Sequence, residues 1–122
     1  MYTLIDRPCR LAKITRMDAI IVYSTCPDIE TARSISRELV QEKLAACVSQ
    51  VQNVTSVYQW QNKIEQDDEV LLIIKTTNEC YAALEKTLTR LHPYELPELI
   101  AVPVCQGLPG YLDWIQQCTT QK

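Results

Sequence analysis

Two stretches in the middle of the chain decide the fold: Ala-Cys-Val-Ser-Gln-Val at residues 46–51 and Val-Thr-Ser-Val-Tyr-Gln-Trp-Gln at residues 54–61. Both are rich in β-branched and aromatic residues, a composition typical of strands. We therefore predict one long strand that is bent or bulged at residues 52–53. Because side chains on a strand alternate between its two faces, Tyr58 and Trp60 share one face.

The segments on either side extend this pattern. Residues 19–25 are a nearly continuous apolar and β-branched run, which predicts a buried strand. Residues 28–44 carry apolar side chains at helical spacing and predict a helix. After the long strand, Asn62-Lys63 is a predicted turn, since asparagine tolerates the left-handed conformation. Residues 68–77 then predict a third strand.

The C-terminal part predicts two more helices and one more strand. Residues 81–91 carry an apolar stripe of helical spacing, preceded by a potential cap at Thr77-Asn78. Pro93 ends that helix, because the residue before a proline is disfavoured in helical geometry. Residues 99–105 predict the last core strand, and residues 110–118 predict a short terminal helix.

The resulting order, β-α-β-β-α-β plus a terminal helix, predicts a fold of the α+β class. It is the ferredoxin-like arrangement, in which two helices cover one face of an antiparallel sheet, with an additional C-terminal helix. Pro103 cannot donate a hydrogen bond to a neighbouring strand, so we expect it at an edge or a bulge. We predict a single domain over residues 18–122. Residues 1–17 are interpreted as an N-terminal extension, with a short targeting arm as the alternative.

Length, charge and glycine content restrict the possible partners. The 122 residues suffice for one domain with a real core, and only two of them are glycine, so no glycine-rich phosphate loop is present. Residues 1–17 hold four basic residues and one acidic residue, which leaves eight basic and fourteen acidic residues, a charge of −6, in the remainder. An acidic body is a poor match to nucleic acid. No run of 18 apolar residues exists, so we expect no membrane span.

The six cysteines lack the C-x-x-C spacing of a zinc site or a redox dithiol. Several have apolar neighbours, and a free cysteine packs as a small hydrophobic residue. We therefore expect mostly reduced, buried thiols in a cytoplasmic protein, although an even number leaves disulfides open.

The long strand predicts self-association. A sheet covered by helices on one face leaves its other face open, and large apolar groups such as Tyr58 and Trp60 on an open face or edge favour a partner. The alternative is that Trp60 packs under the terminal helix of its own chain, against Trp114.

The loop at residues 92–98, His-Pro-Tyr-Glu-Leu-Pro-Glu, is stiffened by two prolines and carries the candidate site residues. His92 is the only imidazole and a candidate ligand for Cu²⁺ or another divalent cation. Alternatively, it caps the preceding helix or hydrogen-bonds locally. Glu95 and Glu98 are candidates for acid–base work, or solvated loop residues. Lys75 either faces an anion in a cleft or ends a strand at the surface.

Several segments occur in an order that is specific as a set. They are Ser-Thr-Cys-Pro-Asp at 24–28, Glu-Lys-Leu-Ala-Ala-Cys-Val at 42–48, Ser-Val-Tyr-Gln-Trp-Gln-Asn-Lys-Ile at 56–64, Glu-Val at 69–70, Ile-Lys-Thr-Thr at 74–77, the loop at 92–98, and Gly-Tyr-Leu-Asp-Trp at 110–114. With this set the chain resembles the CutA family, named for divalent-cation tolerance, over residues 18–118.

The resemblance implies a homotrimer with PII-like architecture, in which the long second strand and its hairpin pair between subunits and the clefts between subunits hold a small effector. In some bacterial relatives copper binding is ascribed to a strand-one cysteine and a His-His pair. The corresponding positions here are Ser24 and Leu91-His92, so only His92 carries over. The residues assigned to the cleft or the subunit interface are Tyr58, Trp60, Lys75, Tyr94, Glu98 and Trp114.

The expected function is that of a homotrimeric divalent-cation tolerance protein, not an enzyme, which binds copper or another divalent metal weakly, or a small effector, and needs no cofactor to fold. Alternatives are a structural trimer scaffold and a signalling protein of the PII type. A small enzyme built on residues 92–98 is a further alternative, disfavoured because one histidine offers no obvious nucleophile–base pair. An RNA-recognition domain shares the element order, but the predicted third strand lacks the aromatic residues that stack on bases.

Overall fold

The computed structural model of the protein describes residue 15 and residues 17–120, so most of the predicted N-terminal extension lies outside the described residues. The elements follow in chain order: β1 Ala19–Cys26, α1 Ile29–Gln41, β2 Cys47–Trp60, β3 Lys63–Thr77, a 3₁₀ turn Asn78–Cys80, α2 Tyr81–Leu91, β4 Ile100–Pro103 and α3 Pro109–Thr119. The strands form one antiparallel sheet in the order β2-β3-β1-β4. The predicted α+β, ferredoxin-like fold with a C-terminal helix is confirmed.

Helix α1 begins where a side chain caps it and ends where the backbone turns left-handed. The Asp28 carboxylate accepts a hydrogen bond from the Thr31 N–H at 2.8 Å, which satisfies a donor that the first turn leaves unpaired. The helix ends at Gln41, three residues before the predicted end. Lys43 adopts φ 61°, and the Leu44 N–H turns back to the Leu39 carbonyl.

The β2–β3 hairpin is longer than the sequence predicts. The predicted bulge is confirmed, since the register shifts between Val51 and Val54. The turn residues are Gln61 and Asn62, both with positive φ. Strand β3 therefore starts at residue 63 rather than 68, because its first residues, polar except for Ile64, pair with β2 although they show no apolar alternation.

One hydrophobic core lies between the sheet and the helices. Its sheet side includes Val22, Leu72 and Ile74, and its helix side includes Leu39 and Leu84. Side chains of alternate parity along β1 and β3 face away from these helices. The side chains on that second face of the sheet are therefore not part of this core.

The last strand is shorter than predicted and sits at the sheet edge. Strand β4 covers four residues, all exposed, and β1 is the one strand that pairs with it in the part of the chain that the structure describes. Pro103 lies in this edge strand, as expected. Thr77 occupies the N-cap position of the 3₁₀ turn before α2, as predicted, but its side chain makes no capping hydrogen bond. The Asn78 N–H donates to the Asp18 carbonyl instead.

Among the described residues four cysteines are free, namely Cys26, Cys47, Cys80 and Cys118, and of these Cys26 and Cys80 are buried. Cys105 takes part in a disulfide bond. The expectation of reduced thiols therefore fits these four residues and fails for Cys105.

Candidate functional site

A cleft of about 860 Å³ opens beside the end of the sheet. Its walls are residues 56–60 of β2 and residues 93–98 of the loop after α2, and Thr25 and Glu69 also line it. The two walls are nearly 40 residues apart in sequence, so the cleft exists only because the loop folds back towards β1. A volume of this size suits a small molecule.

His92 fastens the loop to the sheet. Helix α2 ends at Leu91, and His92 is extended and buried. Its Nε2 lies 2.7 Å from the Thr25 carbonyl oxygen, and its Nδ1 accepts a hydrogen bond from the Tyr94 N–H at 3.1 Å. Both contacts are satisfied by the neutral ring with its proton on Nε2. The bond with Tyr94 is local, whereas the bond with Thr25 joins residues that lie 67 positions apart in the chain.

A buried carboxylate forms part of the cleft. Glu69 is 7 % exposed, and its Oε2 accepts a hydrogen bond from the Tyr94 hydroxyl at 2.8 Å. Burial and this bond raise the pKa of Tyr94, so the phenol stays protonated and donates at neutral pH. Opposite it, the Thr25 hydroxyl donates to Glu98 Oε1 at 3.5 Å. These two hydrogen bonds hold the carboxylates of Glu98, on the loop, and Glu69, on β3, beside the same cleft.

The β2 wall presents aromatic side chains. Tyr58 and Trp60 line the cleft and are partly exposed. The Tyr58 hydroxyl donates to the Asp67 carboxylate on β3, and this bond, with burial and the neighbouring carboxylates, raises the pKa of Tyr58 to about 12. On the opposite wall the rings of His92 and Tyr94 lie 4.7 Å apart.

The residues present do not fit a tight metal centre within one chain. No group of three or more histidine, cysteine, aspartate or glutamate side chains with metal-binding geometry occurs in the part of the chain that the structure describes. Both ring nitrogens of His92 are engaged, so a metal would have to displace one of these bonds. Cys26, two residues after Ser24 on β1, is buried, and burial together with Asp28 and Glu69 raises its pKa to about 12. A protonated thiol is a poor ligand.

Other predicted residues lie away from the cleft. Lys75 Nζ donates to Ser49 Oγ at 2.7 Å on neighbouring β2 and lies 3.9 Å from Cys47 Sγ. Trp114 stacks with Tyr111, with ring centroids 5.5 Å apart, and Trp60 lines the cleft instead of pairing with it.

Of the predicted cleft or interface residues, the structure brings together Tyr58, Trp60, Tyr94 and Glu98. Sequence reasoning missed Thr25 and Glu69 as cleft residues. Strand parity could have placed Glu69 on the face of β3 that points away from the helices, but its burial depends on the distant loop.

Comparisons with known proteins give one consistent result. The family model described as CutA1 divalent ion tolerance protein matches residues 20–118. The chain is 43% identical to the divalent-cation tolerance protein CutA of Thermus thermophilus over 81% of this chain and 96% of the relative. It is 46% identical to Protein CutA of Mus musculus over 80% of this chain and 55% of the relative. The crystal structure of CutA from Xylella fastidiosa matches with a TM-score of 0.83 and 50% identity, over 84% of this chain and 99% of that chain.

The chain thus spans about half the length of the mouse protein it matches and nearly all of the bacterial one. The names of further relatives include a chloroplastic protein of Arabidopsis thaliana and a periplasmic one of Archaeoglobus fulgidus. Across the described residues, no helix has the length and apolar character needed to cross a bilayer.

Proposed function

The chain belongs to the CutA1 divalent ion tolerance family, and from this premise we propose that it acts as a non-enzymatic homotrimer that binds a small effector in clefts at its subunit interfaces. The single observation that carries the proposal is the cleft itself, since one of its walls is formed by a hairpin that extends beyond its own sheet. A cytoplasmic location remains a prediction.

The extended part of the hairpin supports self-association. We call residues 54–69 the hairpin arm. Strand β1 pairs with β3 from Val70 onwards, so within the described residues the two strands of the arm pair with each other and with no third strand. Val57 is 64 % exposed and Ile64 is 74 % exposed on this arm. Unpaired edges with exposed apolar side chains favour pairing with another chain.

The short edge strand supports the same conclusion. All of β4 is exposed, including Ile100 and Val102. A second copy that covers both the arm and this edge would place its own surface beside residues 56–60, which line the cleft. The cleft would then lie between subunits, and the ligand site would depend on assembly.

The test of assembly compares two valine-to-lysine variants. We expect light scattering after size exclusion to give the mass of three 14.0 kDa chains for the natural sequence. Val57→Lys should reduce this mass, because it places a charge in the proposed interface. Val40→Lys, at a valine of α1 that is also exposed, should leave it unchanged. A monomer for the natural sequence, or equal masses for both variants, contradicts the proposed interface.

A weakly bound divalent cation is the second candidate ligand. The carboxylates of Glu69, Glu95 and Glu98 line the cleft, and oxygen ligands suit hard cations. Trimer symmetry could add ligands from a neighbouring subunit. Calorimetric titration of the purified protein with Mg²⁺, and with Cu²⁺ for comparison, tests this candidate. Saturable binding that survives in Glu69→Gln would place the metal elsewhere.

A further inference from the structure

We propose that the cleft selects an organic cation, an ammonium or guanidinium group carried on an apolar body, with Glu69 as its counter-charge. The inference rests on the proposed function, since it names the class of effector for that same cleft. Three features of the described residues carry it. A buried carboxylate has no cationic partner among them, the cleft lining that they form has no basic side chain, and the cleft walls are rich in aromatic and apolar groups.

The first feature is the unbalanced charge of Glu69. The side chain is 7 % exposed, and the donor that it receives within the described residues is the neutral Tyr94 hydroxyl. Buried charges in proteins are normally paired with an opposite charge or coordinate a metal. Glu69 borders the cleft, so a cation in the cleft would supply the missing partner.

The second feature is the sign of the whole lining. Glu95 and Glu98 add two more carboxylates, and no lysine or arginine is among the described residues that line the cleft. Lys75, a predicted cleft residue, donates from its ammonium group to Ser49 on the neighbouring strand instead. A phosphate or carboxylate ligand would meet only like charge here. This argues against a nucleotide as the effector.

The third feature separates an organic cation from a metal ion. Tyr58, Trp60 and Tyr94 present aromatic rings, and ring faces attract ammonium and guanidinium groups. Val57 and Leu96 add apolar surface that a bare metal ion would not use. The described residues contain no group of three metal-ligating side chains. The volume of about 860 Å³ also exceeds what a single ion needs.

The test uses the full chain in its natural oligomeric state and one soluble pair of probes. Choline carries a quaternary ammonium group, and 3,3-dimethylbutan-1-ol is its neutral analogue of the same shape. The chain has two tryptophans, so Trp114→Phe leaves Trp60 as a fluorescent reporter in the cleft. Inorganic phosphate and Mg²⁺ are titrated in parallel, and calorimetry gives the affinities without the reporter substitution.

We expect choline to change Trp60 fluorescence and to bind at least about tenfold more tightly than the neutral analogue. Glu69→Gln keeps an oxygen that can accept the hydrogen bond from Tyr94 but removes the negative charge. It should weaken the binding of choline by about tenfold. Glu85→Gln is the matched control, because Glu85 also accepts a bond from a tyrosine, Tyr81, but on the surface of α2. It should leave the affinity unchanged.

Three results would overturn the inference. Equal affinities for choline and its neutral analogue would show that the positive charge of the ligand does not contribute to binding. This comparison uses the natural sequence, so it does not depend on the folding of a variant. If phosphate or Mg²⁺ changes Trp60 fluorescence and choline does not, the cleft binds a ligand, but that ligand is not an organic cation. If no probe binds to a protein that is trimeric, the ligand-binding part of the proposed function fails as well.

Discussion

The hydroxyl of Ser24 should destabilise the protein, and its removal should stabilise it. Ser24 lies on β1 and is fully buried. Among the described residues, its Oγ is the one buried side-chain oxygen without a hydrogen-bond partner. A buried polar group left unpaired costs about 1–3 kcal/mol. Replacement by alanine removes only one oxygen atom, so the void term of about 24 cal/mol per Å³ is small. We expect Ser24→Ala to raise the free energy of unfolding by about 1–2 kcal/mol.

Ser36 provides the matched control, because it is a buried serine with partners. Its Oγ donates to the Ala32 carbonyl at 2.7 Å and accepts from Gln50 Nε2 at 3.0 Å. Ser36→Ala removes both bonds and leaves the Gln50 amide without this acceptor, so it should lower the free energy of unfolding by about 1 kcal/mol.

The assay is urea unfolding followed by circular dichroism, at one fixed protein concentration because assembly makes stability depend on concentration. The two substitutions are chemically identical, so their opposite signs isolate the hydrogen-bond partners. A loss of stability of similar size in both variants would refute the reasoning, since it would mean that the Ser24 hydroxyl is satisfied.

Three further outcomes are expected. His92→Ala should bind Cu²⁺ as tightly as the natural sequence does, because both imidazole nitrogens are already hydrogen-bonded. Loss of these two bonds should also increase hydrogen exchange in residues 93–98. Weaker Cu²⁺ binding would show that His92 is a ligand. Asp28→Asn should be less stable than the natural sequence above pH about 4, and this difference in stability should disappear in acid. The reason is that the bonds from Thr31 lower the pKa of Asp28, so the contribution of its charge is lost as pH falls through that lowered value. Thermal melts across pH check this, and a difference that does not change with pH contradicts it. Leu84→Ala, at a fully buried leucine, should lower the free energy of unfolding by about 2–5 kcal/mol, whereas Leu108→Ala at an exposed one should change it by less than about 0.5 kcal/mol, as measured by urea unfolding.

Local patterns predicted the parts of the fold that local physics determines. The helical spacing of Leu84 and Leu88 places both in the core. The bulge falls at Asn53, where a residue tolerant of the left-handed conformation adopts φ 65°. The start of β3 was missed because residues 63–67 are polar except for Ile64 and show no apolar alternation, and they form a strand through their pairing with β2.

The site was less predictable because its contacts join distant parts of the chain. His92 Nε2 meets the Thr25 carbonyl 67 positions earlier, and the Tyr94 hydroxyl meets Glu69 25 positions earlier. No local pattern reports such pairs. The sequence pointed to the loop through its prolines and its single histidine, but the burial of Glu69 arises only when the loop folds over β3.

Native mass spectrometry of the protein recovered from its host without chelators reports assembly and retained ligand in one measurement. We expect the mass of three chains with an added small-molecule mass that is lost in Glu69→Gln and kept in Glu85→Gln. A single chain without any added mass would contradict a trimer that binds an effector.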